Sequence, residues 1–236
     1  MARRKKPSGR ERKELSRSDF QRASKAINQR NSVIIASEDT ESSVVYFRLI
    51  LNDLMREKKI TINSCVFAKH TSTHPTGVLN DLVKHKEKDG STYNDFDHSW
   101  IVIDRDNQWQ AGNGHEEEDF NQALSEAEEK GIKVAYSNDA FELWYLLHFN
   151  YENAVTPRSD LNSKVKALFN NPKSLKSADF VKRIYPRLVG EPEKTAIRNA
   201  EKLLKMHLDN GTEPSNANPS TTIHNLVKLL RSLGSS

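Results

Sequence analysis

The stretch SWIVIDRDNQW, residues 99–109, places four apolar residues directly before Asp104. A short apolar run of this kind, bounded by polar residues, is typical of a buried strand in a parallel sheet. Successive side chains of a strand point to opposite faces, so Asp104 and Asp106 are expected to face the same way across Arg105. The stretch therefore predicts a buried strand over residues 98–104 that is followed by two carboxylates on one side.

Further apolar runs on both sides of this strand alternate with helical patterns. Strands are predicted at residues 31–37, 60–68 and 132–137. The segments between and after the strands carry apolar residues at three- and four-residue steps, which predicts helices over residues 42–59, after the loop that begins at residue 70, over 119–131 and over 138–149. This alternation favours an α/β fold with a parallel sheet of about four strands flanked by helices.

Composition divides the 236 residues into three segments. Residues 1–30 form a basic arm that we expect to be flexible, and residues 31–150 form the α/β core. Residues 151–236 carry helical periods separated by Pro, Asn and Gly, with no predicted strand among them. We expect this last segment to be a helical C-terminal subdomain that packs on the core.

The single cysteine and the apolar runs exclude several classes of protein. Cys65 lies in an apolar stretch without a second cysteine, so the sequence provides no disulfide framework and no cysteine-based zinc site. No apolar run approaches the roughly 20 residues of a membrane-spanning helix, and no apolar segment follows the basic N-terminus as in an export signal. The sequence predicts a cytoplasmic protein without a membrane partner.

The net charge of +4 depends on the N-terminal arm. The six residues that make the arm a candidate nucleic-acid contact are Arg3, Arg4, Lys5, Lys6, Arg10 and Arg12. Such a segment binds nucleic acid by neutralising phosphates and releasing counterions. A solubilising tail explains the same composition equally well.

Acidic residues follow three of the predicted strands. Glu38 and Asp39 follow the first, Asp104 and Asp106 follow the third, and Glu142 comes after the fourth. The carboxyl ends of parallel strands meet at one edge of a sheet, so these acids are expected to converge. Crowded carboxylates repel each other unless they are protonated or bridged by a cation. The sequence therefore predicts a divalent metal held by Glu38, Asp104 and Asp106.

Oxygen-only ligands suit Mg²⁺ or Mn²⁺, and such a metal supports hydrolysis of a phosphodiester by holding the phosphate and activating water. Two other enzyme classes use a D-x-D sequence. Haloacid-dehalogenase-like phosphatases need Thr or Val where Gln108 stands. A glycosyltransferase with a metal-binding D-x-D stays open, although it leaves Glu38 and the basic arm unexplained.

Four stretches of the chain resemble the RloB family. They are VIIASEDTESSVVYF (33–47), WIVIDRDN (100–107), VAYSNDAFELWYLLHF (134–149) and NPSTTIHNLVKLL (218–230). The glutamate after the first strand and the later D-x-D also resemble the TOPRIM fold of topoisomerases, primases and OLD-type nucleases. The resemblance implies a TOPRIM- or Rossmann-like sheet and a metal-dependent nuclease of bacterial anti-phage defence.

The resemblance also implies partners and residue roles. RloB-like proteins are encoded beside restriction-modification and abortive-infection genes, often with an ABC-type ATPase, and related defence proteins attack tRNA. The substrate expected from the resemblance is tRNA, another RNA or DNA, and a homodimer is compatible with the sequence. Glu38 matches the TOPRIM glutamate, Asp104 and Asp106 the metal pair, and Glu142 a further acid.

The sequence departs from the family pattern after the first strand. Asp39 stands where the family has Gly, and Ser42 and Ser43 replace Thr-Glu. Glycine lets the backbone approach a phosphate closely, so Asp39 either adds a ligand or weakens phosphate binding. A second hypothesis is therefore a catalytically silent TOPRIM-like module that binds nucleic acid or a partner ATPase.

Several residues near the predicted edge have both a supporting and a structural interpretation. Arg105 either clamps a phosphate or pairs with a neighbouring acid. Asn138 either caps the following helix, as Ser137 also could, or supports the acids by a hydrogen bond. His148 is either a core histidine or a functional one. Glu142, in the first turn of its helix, would also complement the helix dipole.

Overall fold

A five-stranded sheet with the order β2-β1-β3-β4-β5 forms the centre of the molecule. The computed structural model describes residues 32–107, 114–170 and 174–233. The strands are β1 (Val33–Ser37), β2 (Cys65–Phe67), β3 (His98–Asp104), β4 (Lys133–Asn138) and β5 (Ser220–Thr221). The strands β1 to β4 are parallel to one another, and β5 runs antiparallel to β4.

Eight α-helices surround this sheet within the described residues. They are α1 (Ser43–Arg56), α2 (Pro75–Lys84), α3 (Glu117–Glu129), α4 (Glu142–Leu147), α5 (Arg158–Leu168), α6 (Ala178–Ile184), α7 (Glu191–Asp209) and α8 (Ile223–Ser232). Short 3₁₀ helices lie at Ile62–Ser64, Tyr93–Asp95 and Tyr185–Arg187. The predicted α/β class, a mainly parallel sheet flanked by helices and followed by C-terminal helices, is confirmed.

Alternate side chains of β1 and β3 lie on opposite faces of the sheet, because successive side chains of a strand point in opposite directions. Ile34 and Ile101 face one hydrophobic cluster together with residues of α2 and α3. Val33 and Val102 face the other cluster, which includes residues of α1, α4 and the C-terminal helices. Burying a side chain of this size contributes about 1.5–3 kcal/mol relative to leaving it exposed. The sheet is therefore covered on both faces, as parallel sheets usually are.

The apolar stripe of α1 explains why this segment is helical. Tyr46, Phe47, Ile50 and Leu54 recur at one-, three- and four-residue steps and are buried in the structure. Their spacing places them on one face of a helix, where they pack into the same cluster as Val33. The 42–59 prediction matches α1 apart from its ends.

The C-terminal segment adds a strand that the sequence analysis did not predict. Ser220 and Thr221 pair antiparallel with Asn138 and Ser137 at the edge of the sheet. A strand of two polar residues has no hydrophobic period, so it carries no sequence signal. The prediction that the segment after residue 150 contains no strand is therefore wrong.

Two local predictions differ from the structure. In the segment 60–68, where a single strand was predicted, the structure has a 3₁₀ helix at Ile62–Ser64 followed by the short strand β2. The helix predicted over 138–149 begins only at Glu142, and Phe141 occupies its N-cap position without a side-chain cap. Asn138 is instead the last residue of β4, so the prediction that Ser137 or Asn138 caps this helix is wrong.

The basic arm with its six candidate residues lies outside the described residues, as does Gln108. Among the residues that the structure describes, no helix has both the length and the apolar character that crossing a membrane requires.

Candidate functional site

The structure brings Glu38 and Asp104 together at the carboxyl edge of the sheet. The Glu38 backbone N–H donates to the Val102 carbonyl oxygen at 3.0 Å, which extends the β1–β3 pairing by one residue. The Glu38 Oε2 atom accepts a hydrogen bond from the Asp104 backbone N–H at 2.9 Å. Glu38 is therefore held in place by the end of the neighbouring strand.

A single arginine joins the two aspartates that follow β3. Arg158, the first residue of α5, donates from Nη2 to Asp104 Oδ2 at 2.6 Å, and its Nε lies 2.9 Å from Asp106 Oδ1. Asp106 has a left-handed backbone with φ of 40°, a conformation that aspartate tolerates better than most residues. Both carboxylates therefore contact one guanidinium. This agrees with the prediction that they face the same way.

Arg158 places a positive charge beside the crowded carboxylates. The sequence predicts a divalent cation at this position, and in the structure a guanidinium of the same chain contacts both Asp104 and Asp106. Burial raises the pKa of Asp104 well above its ordinary value; Arg158 opposes the shift, and the charges of Glu38 and Glu142 add to it. Burial likewise raises the pKa of Asp106 against the opposing charge of Arg158. One positive charge therefore offsets only part of the negative charge of these acids, and the metal stays a prediction.

The charge of Arg158 itself is stabilised by the same carboxylates. Burial acts to lower the pKa of this guanidinium, but the charges of Asp104, Glu142 and Asp106 outweigh burial, and the net effect is a raised pKa. Arginine is in any case charged at all ordinary pH values. The backbone N–H of Arg158 donates to Asp139 Oδ2 at 3.0 Å, which anchors the start of α5.

The chemistry of the donor set fits a hard cation. The clustered acids offer carboxylate oxygens, and Mg²⁺ commonly uses only one or two protein carboxylates together with phosphate oxygens and water. Within residues 32–107, 114–170 and 174–233, however, no three His, Cys, Asp or Glu side chains form a group arranged to hold a metal ion. The oxygens that would serve are bonded to Arg158, to the Asp104 backbone and to His115.

His115 is a member of this cluster that the sequence analysis missed. It precedes α3, and its Nε2 lies 3.2 Å from Glu38 Oε1. Its backbone N–H donates to the Asp106 carbonyl oxygen at 2.9 Å. Burial acts to lower the pKa of His115, but the hydrogen bond and charge of Glu38 outweigh burial and raise it. The feature of the sequence that could have indicated a role for His115 is its position before the acidic start of a helix.

Asp39 orders the turn between β1 and α1. Its Oδ1 accepts from the backbone N–H groups of Glu41 at 2.8 Å and Ser42 at 2.6 Å. Its Oδ2 accepts from the Ser43 N–H at 3.2 Å and from Ser43 Oγ at 2.7 Å. These are the bonds of a helix-capping carboxylate. Asp39 and Ser43, two departures from the family pattern, therefore contact each other.

Glu142 lines a narrow cleft at the centre of the acids. It is the first residue of α4 and only 4% exposed. The same cleft is bordered by Glu38, Asp39 and Asp104, and the exposed Lys176 borders it from the segment before α6. The structure thus brings all the predicted strand-end acids to one edge and adds a lysine beside them.

Arg105 and Asn138 serve a different part of the structure. Arg105 is buried and donates to the carbonyl oxygens of His115 at 2.8 Å and Ser215 at 3.2 Å. Asn138 Nδ2 donates to the carbonyl oxygens of Pro214 and Ser215, each at 3.1 Å. Both side chains therefore hold the C-terminal segment that leads into β5, and their hydrogen bonds go to backbone carbonyls rather than to the clustered acids.

His148 lies in the hydrophobic core. Its Nδ1 donates to the Trp144 carbonyl oxygen at 2.8 Å, and the two rings meet edge to face with centroids 4.9 Å apart. Burial lowers the pKa of His148 to about 4, so the ring is neutral at neutral pH. These contacts are those of a core histidine.

Comparison with known proteins gives one match. The model of the family described as RloB-like protein matches residues 33–230, most of the chain. No curated protein and no solved structure matches the chain. The matched region contains the strand-end acids, Arg158 and the strand β5 that joins the C-terminal segment to the sheet. The chain belongs to the RloB-like family.

Proposed function

We propose that the protein is a Mg²⁺- or Mn²⁺-dependent nuclease whose active site is the acid cluster of Glu38, Asp104, Asp106 and Glu142. The observation that carries the proposal is the meeting of Glu38 with the end of β3, where Asp104 and Asp106 share one partly buried arginine. Carboxylates from separate strands at one sheet edge are the ligand set that metal-dependent phosphodiester hydrolysis uses.

Each residue of the cluster has a role in this proposal. Glu38, Asp104 and Asp106 hold the cation, and Glu142 adds negative charge from α4. The bound metal would supply an activated water and charge stabilisation at the phosphate. Arg158 competes with the cation for the oxygens of Asp104 and Asp106, and its planar fork is also suited to phosphate oxygens. Lys176 contributes a second positive charge next to the cleft.

The substrate and biological setting rest on the family and on charge. Membership of the RloB-like family and the six candidate residues among the basic residues of the N-terminal arm support a nucleic-acid substrate, either RNA such as tRNA or DNA. We propose that the nuclease acts in the bacterial cytoplasm as an effector of anti-phage defence, together with an ABC-type ATPase partner.

One observation favours a second candidate function. Arg158 places one positive charge between Asp104 and Asp106, which relieves part of their repulsion without a cation. A catalytically silent module that binds nucleic acid or a partner ATPase would have this arrangement. The two candidates differ in whether Mn²⁺ binds to the cluster and whether nucleic acid is cleaved.

The deciding experiment incubates the purified full chain with total cellular RNA and with plasmid DNA, with Mn²⁺ or with EDTA. Asp104→Asn is the test variant, and Asp209→Asn, which changes an exposed acid of α7, is the matched control. We expect Mn²⁺-dependent cleavage by the wild type and the control but not by Asp104→Asn. Cleavage by Asp104→Asn at the wild-type rate would refute the assignment, and absence of both cleavage and Mn²⁺ binding in the wild type would favour the silent module.

A further inference from the structure

A second cavity, of about 250 Å³, lies beside the acid cluster and is lined mainly by amide side chains. We call it the amide pocket, and we define it by Asn107, Asn138, Asn216, Asn218, Val155 and Pro157. Val155 is 73% exposed although it is aliphatic. The amide pocket therefore combines an accessible apolar wall with groups that can both donate and accept hydrogen bonds.

In three of the asparagines, either the amide nitrogen or the amide oxygen is hydrogen-bonded to the protein. Asn138 donates to the Pro214 and Ser215 carbonyls, Asn216 Nδ2 donates to Glu117 Oε1 at 2.9 Å, and Asn218 Oδ1 accepts from the Thr156 N–H at 3.0 Å. Asn138 is only 1% exposed, so it forms part of the wall and does not reach a ligand. Among the described residues, the Oδ1 of Asn216 and the Nδ2 of Asn218 have no hydrogen-bond partner, so these two groups remain for a ligand.

Asp139 connects the amide pocket to the acid cluster. It lines the pocket, and its Oδ1 accepts from the Asn107 backbone N–H at 2.6 Å. Its Oδ2 accepts from the backbone N–H of Arg158, the residue whose guanidinium contacts Asp104 and Asp106. A ligand that spans a single nucleotide could therefore contact both sites.

We propose that the amide pocket binds the nucleobase of the nucleotide whose phosphate lies at the acid cluster. Single amide groups can donate to or accept from the edge of any base, and apolar side chains pack against a base that has left its stack. A base inside a duplex cannot enter such a cavity, so the substrate is an unpaired segment. This inference rests on the proposed nuclease function and adds its substrate class.

The test measures nucleoside binding without cleavage. The full chain in EDTA is titrated with adenosine, guanosine, cytidine or uridine, which lack the phosphate that the clustered acids would repel in the absence of a metal, and binding is followed by NMR. Val155→Trp fills the pocket without removing a buried side chain. Leu208→Trp is the matched control, because Leu208 is 78% exposed on α7 and does not line the pocket.

We expect saturable binding of at least one nucleoside to the wild type and to Leu208→Trp, and affinity at least about tenfold weaker in Val155→Trp at an unchanged melting temperature. Absence of saturable binding to any of the four nucleosides, or equal binding by Val155→Trp, would overturn the inference. Binding in EDTA does not depend on catalysis, so the amide pocket can be confirmed even if the wild type cleaves no nucleic acid, and the two failures are distinguishable.

Discussion

Arg158 donates from Nη2 to Asp104 Oδ2 at 2.6 Å, and this contact joins the start of α5 to the end of β3. The two residues are 54 positions apart in the sequence. Both side chains are only 16% exposed, so this ion pair is shielded from solvent. The acid cluster therefore contains its own positive charge, and the proposed metal would have to compete with it.

Replacing Arg158 by Gln should destabilise the metal-free protein and strengthen Mn²⁺ binding. Because Arg158 and Asp104 are only partly buried, we expect a loss between the roughly 1 kcal/mol of an exposed ion pair and the roughly 3–5 kcal/mol of a fully buried one, since the remaining carboxylates are uncompensated. Urea unfolding in EDTA and in Mn²⁺ measures both effects, and Mn²⁺ should restore most of the loss. Arg56→Gln removes an exposed ion pair with Asp53 and should cost less than about 1 kcal/mol. Unchanged stability of Arg158→Gln in EDTA would contradict this account of the cluster.

Replacing Asp39 by Gly, the residue that the family has here, should weaken the start of α1. The variant loses the acceptor of the Glu41, Ser42 and Ser43 N–H groups, and loss of a capping side chain costs about 0.5–2 kcal/mol. Asp39→Asn keeps one acceptor oxygen and should lose less. Calorimetric Mn²⁺ titration should give the wild-type affinity for both variants. If Asp39→Gly binds Mn²⁺ more weakly but unfolds like the wild type, Asp39 is a metal ligand instead.

Arg105→Lys tests whether this buried arginine is structural or binds phosphate. A lysine cannot reproduce the two-armed contact with the His115 and Ser215 carbonyls, and an unsatisfied buried polar group costs about 1–3 kcal/mol. We expect that loss in the free energy of unfolding, with wild-type affinity for a short non-cleavable oligonucleotide. Weaker oligonucleotide binding at unchanged stability would indicate a phosphate contact.

His148 should make the fold sensitive to acid. The unfolded chain takes up the histidine proton near its ordinary pKa of about 6.5, whereas burial lowers the pKa in the folded state to about 4. The unfolded state therefore binds more protons as the pH falls through this window, and stability decreases by up to about 3 kcal/mol. His148→Gln should lack this component, so the difference in unfolding free energy between the two proteins should change between pH 7 and pH 4. A difference independent of pH would show that His148 does not titrate in this way.

The pattern of strands in the sequence predicted where the clustered acids lie, because the residues that follow a strand are fixed by the local sequence. The apolar run of β3 and the acids after it indicated where the carboxylates would lie, since the carboxyl ends of parallel strands share an edge. The same reasoning placed Glu38 next to Asp104, and the structure shows that contact. The resemblance to the RloB family that four stretches of the chain show agrees with the match of the family model over residues 33–230.

The sequence by itself determined the α/β class, the order of the first four strands along the chain and the acids at one edge of the sheet, because hydrophobic period and strand direction are local properties. Only the tertiary structure decided that Arg158 and His115 contact those acids, that Asp39 orders the turn before α1, and that Ser220 and Thr221 add a fifth strand. The physical reason is that charge balance and edge pairing act through space. They depend on how the loop before α3 and the C-terminal helices dock, which no periodic pattern in the chain encodes.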